Sequence, residues 1–161
     1  VVVVREDNHV TDSTKYGPVV VGVDGSEVSQ KATAYAFREA QARGAALIAV
    51  HTWMDMQVQA SLAGLSAAQS EWADIEKEQS ELLTENLKEP REEYPEVEVK
   101  KLITRDRPVS ALTEAAEGAQ LLVVGSHGRG GFKGMLLGST SRALLQSAPC
   151  PMMVVRPDEE S

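Results

Sequence analysis

The chain alternates short apolar runs with longer stretches of helical period. Pro18–Val23, PVVVGV, is rich in β-branched residues and is closed by Asp24-Gly25-Ser26, which predicts a fully buried strand ending in a turn. Val28, Ala32, Tyr35, Ala36 and Ala40 then recur at three-to-four spacing up to Arg43-Gly44, the pattern of an amphipathic helix stopped by a glycine. A second strand is ALIAVHT, Ala46–Thr52. Ala68, Trp72, Ile75, Gln79, Leu82, Leu83 and Asn86 return to helical register, and Pro90 marks the expected end of that long helix. Val97–Ile103 alternates imperfectly around charges, as a sheet edge does. Pro108 opens a helix carrying Val109, Leu112, Thr113 and Ala116. Leu121–Gly125 is a fourth, buried strand, Ser141–Ala148 a short helix and Met152–Val155 a fifth strand. Strands alternating with helices imply parallel pairing through right-handed crossovers, hence an α/β three-layer sandwich.

Outside that pattern, residues 1–15 are polar after four valines and show no period, so they read as a flexible tail. Residues 16–157 form one domain and residues 158–161 a C-terminal tail, in keeping with about 150 residues per domain. Aromatic residues make up only 4% of a chain that is 42% hydrophobic, so the core must be built from Val, Leu, Ile and Ala. That composition suits a buried parallel sheet under Ala-rich helices. Val1–Val4 is too short for a signal-peptide core or a membrane span and runs straight into Arg5, Glu6 and Asp7. With Cys150 as the single cysteine, no internal disulfide forms, and a reduced, cytoplasmic setting is expected.

Net charge of −8 argues against nucleic acid or an anionic membrane as the main partner. The distribution of charge is more telling. Gln69 to Glu98 holds eleven acids, which read as a solvated helix face, whereas Gly118 to Pro157 holds none and carries Arg129, Lys133, Arg142 and Arg156. A cationic, glycine-rich stretch inside an acidic protein is the place to look for a small anionic ligand.

Within it, GSHGRGGFKGMLLGSTS runs from Gly125 directly after a buried strand and leads into a helix. Six of its first fourteen residues are glycine, which lets backbone amides approach a ligand closely, and the following helix N-terminus adds free N–H groups and partial positive charge. Ser139, Thr140 and Ser141 supply hydroxyls. The composition fits either a phosphate cradle or an ordinary mobile connection. Two common phosphate patterns fail: Gly134 follows Lys133 where a Ser or Thr is required, and Lys133 stands where the dinucleotide pattern needs a third glycine. G-x2-G-x9-G-S does match, as Gly125, Gly128, Gly138 and Ser139.

With that spacing the sequence resembles the universal stress protein family, specifically its ATP-binding branch. VVVGVDGSE at the first strand, AVHTW at the second and the closing APCPMMVVRP stand in the expected order, so the resemblance extends from about Tyr16 to Pro157. It implies a five-stranded parallel sheet in the order 3-2-1-4-5, a Rossmann-like fold with ATP or another adenine nucleotide between strands one and four. By resemblance, Asp24 belongs to the ribose and a nearby Mg2+, Val23 lies beside the adenine, and Thr52 offers it backbone groups. Gly125, His127 and Gly128 would contact ribose and phosphates. Gly138, Ser139, Thr140 and Ser141 would bind phosphates, and Arg129, with Lys133, would either screen their charge or stay solvated. Read without the family, Asp24 is equally a turn or helix cap. Asp106 departs from the family, many of whose members have glycine two residues before the proline. An inward carboxylate there would repel phosphate, whereas one paired outward with Arg105 or Arg107 would matter little.

No catalytic residue is assigned. Neither Ser126 nor Ser139 sits in G-x-S-x-G, and no general base is evident beside the loop. His9 lies in the tail, His51 reads as a core or turn residue, and ring packing or phosphate contact explains His127 as well as chemistry does. Cys150, between two prolines, reads as a buried small hydrophobe. Met54, Met56 and the residues up to Ala68 form either a flap or a plain loop. The expectation is an ATP-binding sensor or regulator of the stress response with slow or no turnover, magnesium arriving with the nucleotide. The family's homodimer would use the edge strand Met152–Val155, and an unidentified protein partner would read the nucleotide state. The alternative is a dimeric interaction protein that no longer uses nucleotide.

Overall fold

The computed structural model describes residues 2–3, 17–52, 69–126 and 138–157. The strands are β1 (Val2–Val3), β2 (Val19–Gly22), β3 (Leu47–Thr52), β4 (Val99–Thr104), β5 (Leu121–Gly125) and β6 (Met152–Val155), and the helices are α1 (Glu27–Arg43), α2 (Gln69–Glu93), α3 (Pro108–Ala116) and α4 (Ser139–Ser147). They form one sheet in the order β1-β6-β5-β2-β3-β4. The five strands from β2 onward are all parallel and stand in the order expected, 3-2-1-4-5. The expected N-terminal tail contributes an element of its own: β1 pairs antiparallel with β6, Val2 opposite Met153 and Val3 opposite Met152. Residues 4–15 and 158–161 lie outside the described residues.

Because strand side chains alternate, each central strand feeds two cores. Val19, Val21 and Val23 point to one face, where they meet Ala32, Ala36, Phe37 and Ala40 of α1 and Leu83 and Leu87 of α2. Val20, Leu122 and Val124 point to the other, against Ala111, Leu112 and Ala116 of α3 and Leu144 of α4. Helices therefore cover both faces, and the central strands carry no polar side. The alanines let α1 lie close to the sheet, and among the described residues Phe37 is the one aromatic wholly buried. At the β4 edge Lys100 and Lys101 are exposed and discourage further pairing.

Helix ends follow local chemistry. Ser26 caps α1 by accepting the Ser29 amide at 3.2 Å, and Gly44 ends it at φ 62°, with the Ala45 amide returning to the Ala40 carbonyl at 2.9 Å. α2 does not stop before Pro90; it continues to Glu93, and the Tyr94 amide still reaches the Pro90 carbonyl at 2.9 Å. Among the described residues no helix is long and apolar enough to cross a membrane.

Candidate functional site at the carboxyl ends of β2 and β5

β2 sends its chain to β3 under α1, whereas β5 sends its chain to β6 under α4 on the opposite face. The two departures leave a crevice beyond the carboxyl ends of β2 and β5, the switch point where open α/β sheets bind ligands. Asp24 lies on one lip, Gly125 and Ser126 on the other.

The Asp24 lip is rigid. Oδ1 of Asp24 accepts the Ser26 amide at 2.9 Å and the Ser26 hydroxyl at 2.6 Å, while the Asp24 amide donates to Oγ of Ser29 at 2.9 Å. Gly25, at φ 84°, makes the turn that allows this. The carboxylate thus serves the turn through one oxygen, so both readings of Asp24, cap and ligand, are compatible with one geometry. Val23 holds its place through its amide, which donates to the Val50 carbonyl at 2.8 Å, and its side chain is 5% exposed in the core.

Behind Val23 stands a contact between elements far apart in sequence. The ring of His51 spans two oxygens: Nδ1 is 2.7 Å from the Val23 carbonyl and Nε2 is 2.7 Å from Oε1 of buried Gln79 on α2. With Nδ1–H donating to Val23, a neutral ring needs Gln79 to turn its amide and donate to Nε2. Neighbouring Thr52 is the last residue of β3. Val50 directs its carbonyl toward β2, so by alternation the backbone groups of Thr52 face the same side, past the point where β2 has ended. They open onto the crevice, where the sequence expectation placed an adenine edge.

On the second lip, β5 and α4 are tied together. The Ser126 amide donates to the Val155 carbonyl at 2.7 Å, the Gly138 amide to the Ser126 carbonyl at 2.6 Å, and the Ser141 hydroxyl to the Gly125 carbonyl at 2.6 Å. The Gly138 amide thus joins the start of α4 to the end of β5. α4 begins at Gly138 without a side-chain cap and with no acid in its first turn. Among the described residues no side chain caps its first N–H groups, which with the partial positive charge suit an anion. Ser139 is exposed and Thr140 half-buried at this end, whereas Ser141 is 3% exposed with its hydroxyl spent on Gly125.

The fold thus gathers Val23, Asp24, Thr52, Gly125, Gly138, Ser139, Thr140 and Ser141 at one end of the sheet. His127, Gly128 and Arg129 lie outside the described residues, as do Lys133 and the expected flap over Met54 to Ala68. Asp106, beyond the end of β4, is exposed, and its Oδ1 accepts the Arg107 amide at 2.8 Å. Sequence reasoning did not anticipate Gln79 as a partner of His51, nor wholly buried Ser126 as the hinge of the second lip. The helical register at Gln79 was visible, but nothing local encodes a partner 28 residues away.

Residues 15–156 match the model of the universal stress protein family. The chain belongs to that family. A universal stress protein of Mycobacterium tuberculosis is 46% identical over 156 residues, covering 97% of this chain and 51% of that protein. The chain spans about half the length of the curated relatives it matches. Among solved structures, the universal stress protein UspA from Lactobacillus plantarum is similar at a TM-score of 0.70 and 23% identity over 88% of this chain and 98% of that one. A universal stress protein in complex with cAMP is similar at 0.59 and 25% identity, over 88% and 97% of the two chains. The Archaeoglobus fulgidus protein in complex with dAMP follows at 0.61 and 23% identity, over 87% and 98%.

Proposed function

We propose that this universal stress protein binds an adenine nucleotide, ATP with Mg2+, in the crevice between β2 and β5, and acts in the cytoplasm as a nucleotide-dependent regulator of the stress response with little or no hydrolysis. The observation that carries the reading is the uncapped, acid-free N-terminus of α4, tied to the end of β5 and set across the switch point from Asp24. The parts fit the ligand: amides and hydroxyls at Gly138, Ser139 and Thr140 for phosphates, the outward backbone of Thr52 for the base, and the carboxylate of Asp24 for the ribose or the metal. Complexes of related proteins with cAMP and dAMP support the same class of ligand.

Among the described residues no three His, Cys, Asp or Glu side chains come together as a metal site. Mg2+ would therefore be held chiefly by the phosphates, Asp24 adding one carboxylate. The metal would neutralise phosphate charge, and the protein's part is to hold and orient the nucleotide. Regulation would follow from the tie at Gly138: its amide holds the start of α4 to Ser126, so a nucleotide at α4 bears on the end of β5. As to partners, a second copy of this chain would pair at the Met152–Val155 edge, which Val2 and Val3 line in the single chain.

The test is to denature freshly purified protein, identify any released nucleotide by mass spectrometry, and titrate Mg-ATP by calorimetry. Near-stoichiometric nucleotide or saturable heat is expected, and Gly128→Val should abolish both in a folded protein. Neither nucleotide nor heat would sink the reading in favour of a nucleotide-independent interaction protein, with Asp106→Gly as the next variant.

A further inference from the structure

In a parallel ladder, every second residue of one strand gives its amide to the carbonyl just before its partner and takes the amide just after it. β2 and β3 keep this rule while Val19 to Gly22 pair with Leu47 to Val50. Val19 donates to the Ala46 carbonyl at 2.9 Å, and Val23 to the Val50 carbonyl at 2.8 Å. The next rung would bring the Thr52 amide to the Val23 carbonyl. A side chain meets that carbonyl instead: Nδ1 of His51, one residue earlier on β3, lies 2.7 Å away. The paired register accordingly ends at Gly22 and Val50.

The ring is held in that position. Leu47 and Ala49 point into the core under α1 and α2, and by alternation His51 rises on the same face. Buried Gln79 of α2 stands there, its Oε1 2.7 Å from Nε2. With the Gln79 amide turned to donate to Nε2, the proton of a neutral ring stays on Nδ1 and faces Val23. β4 meanwhile keeps the end of β3 in strand geometry from the other side, His51 pairing with Ile103 and Thr52 with Thr104. Among the described residues the β2–β3 ladder ends before the Thr52 amide, which keeps a fixed direction toward the crevice.

We propose that His51 is a positioning residue for the nucleotide base. By taking the Val23 carbonyl it ends the β2–β3 ladder one rung early and keeps the Thr52 amide for an acceptor on the ligand, with Gln79 holding the ring in place. The inference rests on the adenine-nucleotide site proposed above. An amide already bonded across the sheet would have to give up that bond before meeting a base, whereas one held in direction and left out of the ladder binds at less cost. A ring nitrogen of adenine is an acceptor of the kind this amide suits.

Hydrogen exchange read by NMR on the full chain, with calorimetry, tests this. In the unaltered, nucleotide-free protein the Thr52 amide should exchange much faster than that of Val50, which lies inside the paired register, and Mg-ATP should slow it. His51→Ala returns the Val23 carbonyl to the ladder, so Thr52 should become protected without ligand. Mg-ATP should then bind about tenfold more weakly, the worth of one hydrogen bond, while inorganic triphosphate with Mg2+, which has no base, binds as before. His51→Asn puts an amide nitrogen where Nδ1 stood and should restore both properties; His51→Gln, which puts it where Nε2 stood, should not. A Thr52 amide as protected as Val50 in the unaltered protein, full Mg-ATP affinity in a folded His51→Ala protein, or an equal loss of triphosphate binding would each overturn the proposal. Absence of Mg-ATP binding in the unaltered protein is a different failure, that of the site itself, and takes the role of His51 with it. If His51→Ala does not fold, the exchange of the unaltered protein and the contrast between the Asn and Gln variants decide the matter.

Discussion

The hydroxyl of Ser141 donates to the carbonyl of Gly125 at 2.6 Å, binding the first turn of α4 to the last residue of β5. Both groups sit beneath the proposed phosphate site, so the bond sets where the helix amides point. Ser141→Ala should cost about 1–2 kcal/mol, because a buried hydrogen bond is lost and its acceptor is left short of a partner. Affinity for nucleotide should fall with it, although the hydroxyl does not reach the ligand. Urea denaturation and calorimetry check the two effects. A full loss of stability with unchanged affinity would mean that α4 does not position the ligand.

Ser139 separates helix stability from ligand binding. It is exposed at the start of α4, which has neither a side-chain cap nor an acid in its first turn. A carboxylate there should stabilise the helix by about 0.3–1 kcal/mol through its interaction with the N-terminal partial charge. The same charge would oppose phosphate. Ser139→Glu is therefore expected to raise the melting temperature slightly while weakening Mg-ATP binding by at least about tenfold, or about 1.4 kcal/mol. If both quantities rise, the phosphates do not lie at α4.

How much of this was legible beforehand differs by element. β2 and β5 are readable because a strand covered on both faces has no polar alternation, and Val19–Val21 and Leu121–Val124 are unbroken apolar runs. The end of α2 was misplaced because a proline in the last turn removes one N–H without preventing its carbonyl from accepting Tyr94. The site motif named Asp24 and the serines, yet composition does not say which serine turns inward; helix phase spends Ser141 on Gly125 and leaves Ser139 outside. β1 shows the same limit from another side. Four valines carry no period, and only the sheet shows Val2 and Val3 paired with β6.

Gln79 offers a test of how the adenine side is held. It is 6% exposed and meets Nε2 of His51, whose other nitrogen meets Val23. Gln79→Leu keeps most of the buried volume but leaves Nε2 without its partner. About 1–3 kcal/mol of stability should be lost. If His51 braces the Val23 end of β2, nucleotide affinity should drop as well, and Gln79→Asn, too short to reach the ring, should behave like leucine. A leucine variant as stable as the parent would show that water satisfies His51 equally well.

Cys150 makes the fold sensitive to alkali. It is 2% exposed in the core shared by α3, α4 and β6, and burial pushes its thiol up from 9.0 to about 11. The unfolded chain therefore loses this proton first. Above pH 9.0 the folded state binds more protons than the unfolded one, and stability must fall with rising pH. The contribution is fully present below 9.0 and gone once pH passes about 11. Cys150→Ala removes the titrating group, so its stability should decline less steeply across that window in parallel urea titrations. The same burial predicts that the native thiol resists an aromatic disulfide reagent at pH 8 and reacts at once in denaturant. Rapid reaction of the native protein would mean that the loop between α4 and β6 opens far more readily than its packing implies.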